Sequence, residues 1–192
     1  MNQFDPNSFG PVFAQLLATH RRRPLDSGKP DRAARHALSS LTIENAFAHT
    51  RVANRDMAAC CIAGIWLLYD FIDESHTISQ GIETTSGSFW HGIMHRREGD
   101  FSNAKYWFRR VGNPPVFAEL ADNANEVARQ RGDEQHAAAL TRGGDWDAFA
   151  FVDLCEAAVR GRSHAAELCL DIQQAEWELL FTHCYHAATN TK

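Results

Sequence analysis

Residues 57–69 read "MAACCIAGIWLLY", and this run decides the fold class. It is the longest apolar stretch in the chain, well short of the roughly 20 residues that span a bilayer. It therefore predicts a buried core helix, with Asn54 or a neighbour as its cap and an end near Ile72. On either side the chain is Ala-rich and poor in alternating β-branched runs, and no strand is predicted. Gly, Pro, Asn and Asp signals divide the remainder into helical segments. These cover Pro11–His20, a second helix starting at Pro30 or Asp31, and Phe89–Glu98. Further segments are Ser102–Val111, Val116–Arg131, Asp133–Thr141, Asp145–Arg160 and Ser163–Ala188. The expectation is an all-α, single-domain compact bundle of about seven to nine helices over residues 1–192. Residues 1–10 and 188–192 are expected to fray, and 21–30 to form a basic, mobile loop. Ile62, Ile65, Trp66, Leu68, Phe101, Phe108, Phe151, Leu154, Leu179 and Leu180 are the expected core.

A net charge of −5 argues against general nucleic-acid binding, which usually needs a basic surface. The start "MNQFDPNSFG" lacks a basic segment followed by an apolar one, so no signal peptide is expected. Five cysteines, none in a CxxC pair, sit within apolar helical patterns, where a thiol acts as a small hydrophobe. The odd count suits free thiols in a reducing, cytoplasmic setting.

Residues 90–112, "WHGIMHRREGDFSNAKYWFRRVG", gather the specialised side chains. His91, His95 and Glu98 fall within about 60° on a helix. Two imidazoles one turn apart can share a divalent metal (zinc, or manganese or iron), with Glu98 supplying oxygen. Equally, the histidines can hydrogen-bond to nearby acids. In "WLLYDFIDESH", Asp70, Asp73 and Glu74 are placed on one face at the C-terminal end of the long helix. There they repel one another and oppose the helix dipole. A cation, or Arg96, Arg97, Arg109 or Arg110, should offset them, and a buried Arg–carboxylate network is the plainer solution. His76 opens a polar connection of about fifteen residues, long enough to be functional. Asp73, Glu74, His76, His91, His95 and Glu98 thus become candidate ligands or acid–base groups. Arg96, Arg97 and Lys105 would hold the charge of a small polar or anionic ligand. Arg96 and Arg97 lie about 140° and 240° from His91, so the arginines and histidines cannot all face the same acids. On the last helix Glu176 and His183 are nearly aligned. They read as a surface pair, or as ligand-binding groups if that helix closes the cleft.

"GDFSNAKYWFRRVG" has a local likeness to the turn and second helix of a tetratricopeptide unit, faintly echoed at "GDWDAFAFVDLCEAA". This raises the alternative of a helical interaction module without catalysis. The spacing of the two is not the repeat's usual period. "DFIDESHTISQ" and "WHGIMHRREGDFSNAKYWFRRVG", with "EWELLFTHCY" near the C-terminus, resemble an uncharacterised family of mostly bacterial helical proteins with fungal relatives. The resemblance implies an all-α single domain and assigns no role to any residue.

Overall fold

The computed structural model describes residues 4–18 and 22–190. Among these there are eleven α-helices and no strand. After a 3-10 turn at Pro6–Phe9 come α1 (Gly10–Leu17), α2 (Arg35–Ser39), α3 (Ile43–Ala46) and α4 (Arg55–Leu68). Then follow α5 (Ile72–Ser79), α6 (Thr85–Glu98), α7 (Phe101–Val111) and α8 (Val116–Arg131). The chain ends in α9 (Glu134–Leu140), α10 (Ala148–Val159) and α11 (Ala166–Thr189). Nine of the eleven have seven or more residues, matching the expected seven to nine; α2 and α3 are the short extras.

The apolar run is the core helix. Asn54 caps α4 by accepting from the backbone N–H of Asp56 and Met57. Cys60, Cys61, Ala63 and Ile65 are completely enclosed. Gly64 admits its neighbours: a Cβ there would stand 2.8 Å from the Trp90 ring. Its carbonyl accepts a 2.9 Å hydrogen bond from the Trp177 indole, joining α4 to α11. Of the ten expected core residues, Leu154 and Leu179 are half-buried and the other eight buried. All five cysteines are buried free thiols. No helix among the described residues is long and apolar enough to cross a membrane.

The expected continuation of α4 to Ile72 does not occur. The helix stops at Leu68, and Asp70 turns the chain with a left-handed backbone, φ 62°. Such a conformation is rare outside glycine but tolerated by Asp. Here the Asp70 carboxylate is gripped by Arg97 and, at 2.7 Å, by Arg23. Opposite it Gly28 has room for no side chain, since a Cβ would meet the Asp70 carboxyl at 2.8 Å. Asp73 and Glu74 consequently lie in the first turn of a new helix, α5. The dipole there favours acids, the reverse of the expected penalty. The polar connection is mostly helix as well, because α6 starts at Thr85, four residues before Phe89, where Thr84 caps it by accepting from the Gly87 N–H.

Other boundaries moved for local reasons. Asp31 accepts from the N–H groups of Ala33 and Ala34 and holds a turn, so the second helix begins only at Arg35. Asp147 rather than Asp145 caps α10. Residues 4–10, expected to fray, are pinned by aromatic packing of Phe4 on Trp177 and Phe9 on Phe181. Ala188 is buried, and its carbonyl accepts from the N–H groups of Ala53 and Asn54. The 21–30 loop is tied down from residue 22 onward. Leu25 is buried, and Gln173 donates to the carbonyls of Arg23 and Pro24. His20, the expected end of the first helix, lies outside the described residues, as do 1–3, 19, 21, 191 and 192.

Two buried ion pairs cross the core. Arg96 on α6 makes a two-pronged contact with Glu176 on α11, both side chains at 0% exposure. Arg97 meets Asp70 and also donates to the carbonyls of Leu67 and Asp26. Removing one partner of a buried pair leaves an uncompensated charge, at a cost of about 3–5 kcal/mol. Glu176→Ala is expected to lose about that much in urea denaturation. Glu44→Ala, which breaks an exposed pair with Arg55, is expected to leave stability nearly unchanged. Equal losses in the two variants would contradict this assignment.

Candidate metal centre

The connection between α6 and α7 is two residues long. Gly99 ends α6 with φ 88°, and Asp100 caps α7 by accepting from the Asn103 N–H. The Gly-Asp pair therefore works as a helix stop and start. The contacts run in opposite directions along the two helices: His95 meets Asn103, His91 meets Trp107 and Phe89 meets Phe108. The pair is an antiparallel hairpin. α5 packs beside α6, and His76 enters the same face.

His76, His91 and His95 each offer a ring nitrogen, and these nitrogens lie within 4.8 Å of one another. Among the described residues no other three His, Cys, Asp or Glu side chains meet this way. The ring centroids of His76 and His91 are 4.7 Å apart, those of His76 and His95 5.3 Å, and those of His91 and His95 4.8 Å. Around zinc, with Zn–N bonds of 2.0–2.1 Å, tetrahedral nitrogens stand about 3.3 Å apart. Each imidazole would need to move inward by no more than about 1 Å.

The surroundings hold two of the rings firmly. His91 is 2% exposed and lies flat against the Trp107 indole, with centroids 3.9 Å apart and planes 14° from parallel. The Arg110 guanidinium lies over the same indole. His91 Nδ1 is buried without a hydrogen-bond partner among the described residues, a costly condition for a polar atom. His95 Nδ1 is 2.9 Å from a Glu98 carboxylate oxygen. The Asn103 amide nitrogen is 3.1 Å from His95 Nε2 and 3.4 Å from Nδ1. Such similar distances place the amide over the ring face, leaving the in-plane lone pair of Nε2 unclaimed.

Burial pushes the His91 pKa down to about 3, with help from His95 and His76. Burial lowers His95 as well, against the pull of Glu98 in the other direction. Both rings are thus neutral near pH 7, the form that ligates metals.

The remaining candidates divide clearly. Glu98 lies outside the three-nitrogen cluster. Asp73 is exposed one turn before His76, and Glu74 pairs with Arg35. Arg96 and Arg97, assigned from the sequence to a ligand's charge, engage Glu176 and Asp70 instead. Glu176 is fully enclosed, so the surface reading of it fails. His183 is half-buried on α11, and its pKa is lowered by burial and raised by Glu119. Lys105 pairs with Asp153 and borders an open cavity of about 490 Å³ shared with Arg109 and Arg160. Asn103 and Trp107 were missed in the sequence. Their spacing, i and i+4 on α7, is the signal that they share a face. Comparison with family models, curated proteins and solved structures finds no match.

An unfolded histidine binds a proton below about pH 6.5, whereas folded His91 does so only near 3. Between these values the unfolded state carries the extra proton, so stability falls as pH drops. Denaturation midpoints of chelator-treated protein should decline from about pH 6.5 downward. His91→Asn should flatten that decline, and an identical slope in the variant would contradict the assignment.

Proposed function

We propose that this protein binds one divalent transition-metal ion through His76, His91 and His95, leaving at least one coordination position for water or a small polar ligand. The observation that carries the reading is the convergence of three ring nitrogens within 4.8 Å, one of the rings having a buried nitrogen without a partner. Three nitrogen donors suit zinc and its neighbours better than magnesium or calcium, which take oxygen. Zinc is also favoured over a two-histidine, one-carboxylate iron or manganese site, because Glu98 is engaged with His95 rather than joined to the cluster. Three protein ligands and an open position form the arrangement that activates water, lowering its pKa to about 7. Hydrolytic or acid–base chemistry on a small polar substrate is the activity this centre would support.

Equilibrium dialysis against zinc, followed by elemental analysis, should give about one bound ion per chain. Zinc at a hundredfold excess over its dissociation constant should raise the melting temperature by about 5–10 °C. His95→Ala should abolish both effects. His76→Asn, at a partly exposed position, should weaken them while leaving the helical spectrum intact. No zinc uptake by the wild-type protein would reject the proposal.

A further inference from the structure

Glu98 is the last residue of α6, with its side chain 48% exposed. A carboxylate is poorly placed there, because the helix C-terminus carries the negative end of the dipole. Its contact is with His95 Nδ1, three residues back on the same helix. A carboxylate oxygen is the acceptor in this contact, so Nδ1 is the nitrogen that carries a proton in it. Nε2, on the opposite side of the ring, then carries the lone pair. The Asn103 amide lies over the face of that ring rather than on this lone pair.

We infer that Glu98 is the positioning residue of the centre, holding His95 in the Nδ1–H tautomer and presenting its Nε2 lone pair to the ion. This rests on the metal-binding reading above. An outer carboxylate of this kind orients the ring and raises its basicity as a ligand, and its loss commonly weakens metal binding by about 10–100-fold. Because the two ring nitrogens face away from each other, Glu98 and the ion occupy opposite sides of His95. Glu98 therefore acts through His95, without touching the metal.

The experiment compares wild type, Glu98→Ala and Glu98→Gln, using cobalt(II) and zinc titrations together with long-range proton–nitrogen-15 spectra of the histidines. Metal-free wild type should show His95 protonated on Nδ1, and added zinc should shift the Nε2 resonance. Glu98→Ala should admit the Nε2–H tautomer and bind about 10–100-fold more weakly. Glu98→Gln should recover most of the affinity, since its amide oxygen still accepts from Nδ1–H. A helical circular-dichroism spectrum for each variant separates these effects from misfolding. An affinity unchanged in Glu98→Ala, or an Nε2–H tautomer in the wild type, would overturn the inference and leave metal binding standing. Failure of the wild type to bind either metal would overturn both.

Discussion

Two adjacent guanidinium groups set the roll of α6, and the rest of the molecule is arranged around that choice. Arg96 and Arg97 are about 100° apart on the helix, and both are buried. Neither charge can be left alone in the core. Arg96 finds Glu176 on α11, and Arg97 finds Asp70 in the turn between α4 and α5. Satisfying both at once leaves α6 one orientation, in which His91 and His95 face His76 and the inner wall of α7. Buried ion pairs contribute little net stability compared with apolar packing. Here they fix an angle, and the angle makes the site.

The same pairs explain the backbone at Asp70. A left-handed residue at the end of a core helix costs energy that the surroundings must supply. Arg97 and Arg23 close on its carboxylate, and Gly28 leaves room for it. The turn starts α5 on a new axis and brings His76 back toward α6. Without the break, a continuous helix would carry His76 away from the other two rings.

Helical periodicity made the fold class, the core and the break between α6 and α7 legible, because the signals involved are local. The apolar run at 57–69, the Gly99-Asp100 stop and start, and the His91–His95 spacing all work within a few residues. The end of α4 was not legible. Its apolar pattern continues through Phe71 and Ile72, and what stops it is a set of guanidinium groups distant in sequence. Glu176 was misjudged for a related reason. An acid reads as surface until its partner is known, and Arg96 is 80 positions away. Asn103 and Trp107 depend on how α7 rolls against α6, which hydrophobic patterning constrains only loosely.

The three imidazoles also belong to one short stretch of chain, residues 76–95, on α5 and α6, which a five-residue connection joins. Loop-closure entropy grows slowly and is small for so compact a segment. Contacts this local carry a smaller closure cost than the pairing of Arg96 on α6 with Glu176 on α11, 80 positions apart. The three rings are therefore gathered by the middle of the chain, while the roll of α6 that aligns two of them depends on Glu176 in α11. Bringing the rings together and fixing their orientation thus draw on separate parts of the sequence.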